Sequence, residues 1–331
     1  MDSTPLILSS DLARLGQDSR KLARRAAANE LRRIRQGVYV TAKNWHALKA
    51  WEQYPLLVRA AAATLQTRTV FCRESSAALW GIPLLGTQHM VHALTADGGG
   101  GRSRAGVRRH RVDLASVEVG RQHGLLVTSR VRTVLDLAAF GSFEQGVVAV
   151  DHVLKPDRVH RLQALSKPEL EASIGPDFSA AAARRIRTVL GFAVPESGSP
   201  GESLSRAYMY LEGFKLPELQ TEIRDRSGLA GYLDFEWSED GLAGEFDGMV
   251  KYQKAEYLNG RTPSDVVVAE KRREDRIRAT GRRVIRWTWA ELADRATFAA
   301  FLDGAGVPRT RFPACAPDIR YGNGQPPRGS T

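Results

Sequence analysis

Hydrophobic positions at helical spacing open the chain and are followed by short apolar runs that are typical of strands. A first short helix is predicted over residues 10–16, and a second over 19–29 with Leu22 on its buried face. A glycine turn at Gly37 then separates two short strands. Helix, turn, helix and hairpin in this order predict a winged helix-turn-helix at residues 1–42.

The middle of the chain, residues 43–193, mixes Ala-rich helices with short strands. Helical spacing occupies 75–79, and a strand is predicted at 125–128. No catalytic cluster is recognisable, and histidines such as His92 and His110 are interpreted as isolated structural or surface residues. The pattern predicts an α+β domain.

A stretch rich in Pro, Gly and Ser at 194–200 predicts a linker before a last domain at 201–303. A helix opens this domain, and alternating positions at 231–237 and 242–247 then predict a hairpin. A charged helix and a final strand at 283–289 complete it. The order of helix, hairpin, helix and strand predicts an α/β core.

Length and composition predict a multidomain chain with an excess of positive charge. At about 150 residues per domain, 331 residues correspond to two or three domains. Lys and Arg number 48 against 37 Asp and Glu, which gives a formal net charge of +11 and favours partners that carry phosphate. The excess lies near the N-terminus, because residues 14–35 hold eight basic and two acidic residues.

Neither a secretion signal nor a membrane span is expected. Asp2 stands where a signal peptide carries positive charge, and no run of about 18 apolar residues occurs. Cys72 and Cys315 are too few for a disulfide framework or a four-ligand zinc site, so we expect a cytoplasmic protein without a membrane partner. Residues 313–331 are rich in Pro and Gly and are predicted to be disordered.

Basic residues fall on both the second helix and the hairpin of the predicted winged helix. Such a unit places its second helix in the major groove and lets the wing contact phosphates, so cations are needed on both elements. The alternative is a solvated cationic face on a small helical domain. The candidate DNA-binding residues are Arg20, Lys21, Arg24, Arg25, Arg32, Arg33 and Arg35.

Carboxylates gather on the predicted hairpin of the last domain. Glu245 and Asp247 share one face of their strand, and Asp234 lies on the paired strand. Clustered carboxylates are costly unless a cation neutralises them, and hard oxygen ligands suit Mg²⁺ or Mn²⁺. A metal there would activate water for phosphodiester hydrolysis, with a lysine to hold the phosphate or orient the nucleophile. The alternative is a solvent-facing acidic hairpin with basic partners.

The N-terminal half resembles the AbiEi family of antitoxins from type IV toxin-antitoxin systems. The resemblance is carried by DLARLGQDSRKLARRAAANELRRIRQGVYV from Asp11, CRESSAALWGIP from Cys72 and VTSRVRTVLDLA from Val127. It implies DNA binding by the N-terminal domain, commonly for autoregulation, and an interaction role for the middle domain. A cognate toxin is therefore a possible protein partner.

The last domain resembles the PD-(D/E)xK nuclease superfamily, in the restriction-endonuclease-like branch similar to very-short-patch-repair endonucleases. The strings that carry this resemblance are GESLSR, YLDFEW, GEFDGMVKY and EKRREDRIRATGRRVIRWTW. It implies that Asp234 and Glu245 are metal ligands and that Glu202 is an accessory acid. The superfamily's lysine position holds Asp247, so Lys251 or Lys271 would supply the cation, or Asp247 would be a further ligand.

Together these features predict a DNA-binding protein with a metal-dependent endonuclease domain that acts in bacterial defence or DNA processing. The alternative is a non-enzymatic transcriptional repressor or antitoxin whose last domain is a degenerate nuclease fold. An RNA-directed version stays open, because phosphate contacts do not identify the sugar.

Overall fold

The structure, a computed structural model of the chain, describes residues 4–16, 18, 20–65, 69–87, 89–95, 103–104, 106–248 and 263–310. Lys251 and the predicted disordered tail at 313–331 lie outside the described residues. The chain divides into two compact units, the first formed by 1–141 and 156–186 and the second by 142–155 and 187–331. Within the described residues, no helix is long and apolar enough to cross a membrane.

The first unit begins with a small antiparallel sheet and two helices. Its elements are β1 (Ile7–Leu8), α1 (Ser9–Arg14), α2 (Arg20–Ala27), β2 (Leu31–Arg35) and β3 (Val38–Thr41). The strand order is β1-β3-β2, and Leu22, Leu31 and Tyr39 form the core between helices and sheet. Gly37 has a φ of 75° in the β2–β3 turn, a conformation that glycine adopts without steric cost. The two predicted helices and the hairpin are confirmed as elements, and β1 is an addition.

The following segment builds a six-stranded mixed sheet with strand order β6-β7-β5-β4-β9-β8, in which β5–β7 and β4–β9 are parallel. Apolar residues including Val58, Phe71 and Leu79 pack on this sheet. Helix α7 belongs to the second unit, and α9 spans the division between units. The elements are α3 (Ala42–Ala47), α4 (Ala50–Thr64), β4 (Val70–Phe71), α5 (Arg73–Trp80), β5 (Val91–Thr95), β6 (Ser103–Arg104), β7 (Val107–Arg111), β8 (Val119–Gln122), β9 (Leu125–Thr128), α6 (Arg130–Phe140), α7 (Phe143–Val153), α8 (Lys167–Ala172) and α9 (Ala180–Phe192).

The second unit continues with a four-stranded sheet in the order β10-β11-β12-β13. Strands β10, β11 and β12 form an antiparallel meander, and β13 pairs with β12 in parallel. The sequence pattern predicts the opening helix, the charged helix and three of the four strands. It misses β10, a polar strand at the sheet edge, and the last helix, Arg295–Gly304. The elements are α10 (Pro200–Leu211), β10 (Glu218–Asp225), β11 (Gly228–Trp237), β12 (Leu242–Phe246), α11 (Pro263–Ala279), β13 (Arg283–Trp287) and α12 (Arg295–Gly304).

The predicted linker at 194–200 lies inside the second unit and is held in place at Ser197 and Ser199. Ser197 is only 1% exposed, and its carbonyl accepts a hydrogen bond from Lys155. Ser199 caps α10 by accepting a hydrogen bond from the Glu202 amide. The Pro, Gly and Ser residues here form a helix start, which has the same composition as a flexible linker.

Candidate functional site

Asp234 and Glu245 occupy facing positions on β11 and β12. The antiparallel ladder of these strands ends with Phe235 opposite Gly244. Extending the same register by one residue places Asp234 opposite Glu245. Opposite residues in an antiparallel pair project from the same face of the sheet. The Asp234 carboxylate also accepts a hydrogen bond from the Phe246 amide at 3.0 Å, so it caps the end of the strand pair. The sequence prediction that these two acids meet is therefore consistent with the strand register.

Two arginines hold the carboxylate of Glu245. Arg273 of α11 places Nη2 at 2.5 Å from Oε1, and Arg286 of β13 places Nε and Nη2 at 2.9 and 2.8 Å from Oε2. The parallel register pairs Glu245 with Arg286, which explains why both project to one face. Arg286 also reaches Glu274 at 2.7 Å. The Glu245 side chain is only 9% exposed, so each of its oxygens is used by a guanidinium group in a largely dehydrated place.

Glu202 is used by the fold at the start of α10. Its oxygens accept hydrogen bonds from the Gly198 amide at 2.6 Å, the Ser199 hydroxyl at 2.8 Å and the Gln220 amide at 3.3 Å. These contacts hold the turn before the helix. The geometry therefore assigns Glu202 a capping contact.

Neither lysine candidate is found beside the two facing acids in the described part of the chain, and Asp247 takes part in strand pairing. Lys271 is exposed on α11 and, among the described residues, contacts neither Asp234 nor Glu245. Lys251 lies outside the described residues. Asp247 follows β12, and its amide donates to the Trp287 carbonyl at 2.9 Å, which extends the parallel pairing by one bond. The cations that do meet Glu245 are arginines.

The carboxylates as they stand do not fit a divalent cation. In the described part of the chain, no group of three or more His, Cys, Asp or Glu side chains is arranged to hold a metal ion. Both oxygens of Glu245 are hydrogen-bonded to arginines, whose positive charges already neutralise the carboxylate and would repel a divalent cation placed beside it. A metal at this place would require Glu245 to leave Arg273 and Arg286.

Sequence reasoning missed the basic members of this site. Arg286 interrupts the apolar segment VIRWTW. A charged residue within such a segment indicates that it pairs with an acidic residue nearby, and this is the sequence feature that could have revealed the contact. A second missed pair joins Arg282 to Glu236, which is 2% exposed, at 2.6 Å. Buried carboxylates of this sheet are thus compensated by arginines from the chain itself.

Most of the basic residues on α2 and β2 are exposed, and several have partners. Arg24 lies 3.5 Å from Asp18, and Arg25 lies 2.8 Å from Glu30. Arg32 stacks over the Trp45 ring with its guanidinium carbon 5.8 Å from the centroid. These side chains are exposed to solvent, and ion pairs at such exposed sites are weak enough to exchange for a phosphate.

Arg35 differs from the others because it is half-buried. Its Nε donates to the Thr64 hydroxyl at 2.9 Å, and burial followed by the nearby charge of Arg109 lowers its pKa. Arg20, Lys21 and Arg33 are exposed, and within the described residues none of them pairs with a carboxylate. These three are the exposed cations of α2 and β2 for which the described residues provide neither a carboxylate nor an aromatic partner.

His92 and His110 form a pair, which corrects the expectation that they are isolated. Their rings stack at 5.1 Å between centroids, with His92 Nδ1 2.8 Å from His110 Nε2. Burial, followed by the charge of Arg73, lowers the pKa of His110 to about 3, and burial also lowers the pKa of His92. Both rings are therefore neutral at pH 7, and they link β5 to β7.

Comparisons with known proteins give distant relatives. The chain is 27% identical over 237 residues to the uncharacterized protein MT2308 of Mycobacterium tuberculosis strain CDC 1551 / Oshkosh, covering 69% of this chain and 84% of that protein. The uncharacterized protein Rv2248 of strain ATCC 25618 / H37Rv matches with the same values. The crystal structure of the RV2827C protein from Mycobacterium tuberculosis is 15% identical with a TM-score of 0.36, covering 62% of this chain and 76% of that one. No family model matches the chain.

Proposed function

We propose that this chain is a cytoplasmic DNA-binding protein whose N-terminal elements act as a winged helix-turn-helix. Helix α2 would enter the major groove, and the β2–β3 hairpin would contact the backbone as a wing. The proposal is supported by the exposed cations Arg20, Lys21 and Arg33, which lie on these two elements and have no carboxylate partner within the described residues. Phosphates would complete their charge.

The second unit is, in this proposal, a restriction-endonuclease-like core that hydrolyses phosphodiester bonds. The observation that carries it is the facing placement of Asp234 and Glu245 at the end of the β11–β12 pairing. The element order of helix, meander, helix and parallel strand agrees with the expected core, with β10 as one more strand. Mg²⁺ or Mn²⁺ belongs to the proposal only if Glu245 is released from its arginines.

A second candidate function is a non-enzymatic repressor or antitoxin. The observation that favours it is the occupation of both Glu245 oxygens by Arg273 and Arg286. A carboxylate neutralised in this way needs no metal, and Asp247 replaces the lysine that the superfamily resemblance implies. In this candidate the fold of the second unit serves binding, and a cognate toxin is a possible partner.

Cleavage of supercoiled plasmid DNA in Mg²⁺ or Mn²⁺ tests the nuclease proposal. Wild type is expected to nick the plasmid, and Asp234→Asn is expected to abolish nicking while retaining the affinity for DNA. Asp225→Asn is the matched control, because it makes the same change in an aspartate of the same sheet that pairs with Arg276 at the far end of β10. It should cut like wild type.

Two outcomes contradict the nuclease. If Asp234→Asn cuts as fast as wild type, the activity is elsewhere. If no protein cuts plasmids of varied sequence, and calorimetry detects no Mn²⁺ binding, the repressor or antitoxin candidate replaces the nuclease.

A further inference from the structure

Arg273 and Arg286 reach one carboxylate from two different elements. Arg273 approaches from α11, where its Nη1 also donates to the Tyr232 carbonyl at 3.1 Å, and Arg286 approaches from β13. The arginine side chains are 27% and 36% exposed, whereas the Glu245 side chain between them is 9% exposed. The two guanidinium groups are therefore accessible from solution while the carboxylate is covered.

Two guanidinium groups that converge on one carboxylate are also suited to a phosphate. Guanidinium presents a planar set of donors that matches carboxylate and phosphate oxygens equally well, and charge-assisted bonds of this kind are among the strong hydrogen bonds of proteins. Arg286 bonds two carboxylates at once, Glu245 through Nε and Nη2 and Glu274 through Nη1, so its guanidinium group already accommodates two anions. Among the described residues, these arginines are the cations that touch Glu245.

We propose that Arg273 and Arg286 bind a backbone phosphate of DNA in place of Glu245. Binding of the phosphate and release of the carboxylate are then one event, and Glu245 is held by arginine whenever no phosphate is present. This inference rests on the proposed binding of DNA, and it requires no cleavage. It would also explain why the acids do not fit a metal in the structure described above.

Affinity for DNA without any metal tests this exchange. The full chain is used in a background in which three cations of the first unit are replaced by alanine, so that the first unit contributes less to the measured affinity. A fluorescent DNA duplex is titrated in EDTA at several salt concentrations. The background substitutions are Arg20→Ala, Lys21→Ala and Arg33→Ala.

In this background, Arg273→Ala and Arg286→Ala are each expected to weaken binding and to reduce the slope of log K against log salt by about 0.9, the value for one lost phosphate contact. Glu245→Gln is expected to tighten binding about fivefold, because the neutral amide forms weaker hydrogen bonds with the arginines than the charged carboxylate does. Arg273→Lys keeps the charge but loses the fork of donors, so it should bind with intermediate affinity.

The Asp225–Arg276 pair supplies a matched control. Arg276 lies on the same helix as Arg273 and holds Asp225 through two bonds of 2.7 Å. Asp225→Asn removes one negative charge, as Glu245→Gln does, and Arg276→Ala matches Arg273→Ala. Neither control should change the affinity beyond about 1.5-fold, the smallest effect expected of an exposed ion pair.

Three results would overturn the inference. The first is that Glu245→Gln binds DNA no more tightly than the background protein. The second is that Asp225→Asn tightens binding as much as Glu245→Gln does. The third is that the background protein has no measurable affinity for DNA. If the wild-type chain does not bind DNA, the proposed function itself is wrong. If the chain binds DNA but does not cleave plasmid, this test of the exchange is unaffected. Thermal melting of each variant identifies any that fails to fold, and Arg273→Lys then replaces Arg273→Ala.

Discussion

The packing of α10 on β12 leads to a quantitative prediction for Gly201→Ala. A Cβ atom built on Gly201 would lie 2.0 Å from Cε1 and 2.2 Å from Cζ of Phe246. Ordinary carbon contacts are about 3.5–4.0 Å, so the ring and the helix must separate by about 1.5 Å. Phe246 is 6% exposed and packs edge-on against Trp289, which leaves the ring little space to turn.

Overpacking of this kind costs about 1–3 kcal/mol, and the better helix propensity of alanine returns up to about 1 kcal/mol. Taking the middle of both ranges, we expect Gly201→Ala to lower the free energy of unfolding by about 1–2 kcal/mol. Unfolding in urea, followed by far-UV circular dichroism, measures the change. The matched control is Gly191→Ala in α9, where a Cβ would meet nothing within 4 Å. This control should raise stability by about 0.4–1 kcal/mol.

If Gly201→Ala is as stable as wild type, the packing of α10 against Phe246 is not as described. Equal loss in Gly191→Ala would also refute the reasoning, because that position offers space.

Three further predictions concern charged groups of the two units. Asp151→Ala leaves Arg206, whose side chain is 7% exposed, without its carboxylate partner. The free energy of unfolding, measured in urea, should fall by about 3–5 kcal/mol, and a fall of less than about 1 kcal/mol would contradict a buried ion pair. Burial lowers the pKa of His110 to about 3 in the folded chain, so the unfolded chain binds the proton first as pH falls from 6.5 toward 3, and the fold loses stability over that range. His110→Gln should make the free energy of unfolding depend less on pH. An unchanged pH dependence would contradict the prediction. Hydrogen bonds from Arg276 lower the pKa of Asp225 to about 2, so this carboxylate stabilises the fold above pH 3.8 and loses its effect as pH falls toward 2. In Arg276→Ala, an NMR titration of the Asp225 carboxyl carbon should give a pKa nearer 3.8.

Most elements of the fold could be predicted because periodicity and turn residues are local signals. Strand β9 is confirmed at Leu125–Thr128, and α10 starts at Pro200 as its sequence indicates. Strand β10 was missed because an edge strand exposes one side and lacks the apolar alternation of a buried strand. The pairing of β1 with β3 was missed because two residues carry no periodicity.

The candidate site could be predicted only in part. The positions of Asp234 and Glu245 on facing strands follow from alternation along a hairpin, which is readable in sequence. The partners of Glu245 are not readable in the same way, because Arg273 and Arg286 lie on a helix and a strand whose registers against β12 are set by tertiary packing. For the same reason the contact between His92 and His110 depends on a parallel pairing of β5 with β7 that no local pattern specifies.

The affinity of the full chain for duplex DNA, measured across salt concentrations from about 50 to 200 mM, tests the central claim most directly. The variant is the combined alanine substitution of Arg20, Lys21 and Arg33. The control removes the same charge from three exposed, ion-paired arginines of the second unit, namely Arg224, Arg278 and Arg309.

DNA binding through α2 and β2 predicts that the variant loses affinity and that its slope of log K against log salt falls by about 2–3, since each lost phosphate contact accounts for about 0.9. The control should keep the affinity and slope of wild type. If the variant binds DNA with unchanged affinity and slope, or if the control weakens binding as much, the basic surface of α2 and β2 is not the DNA-binding site.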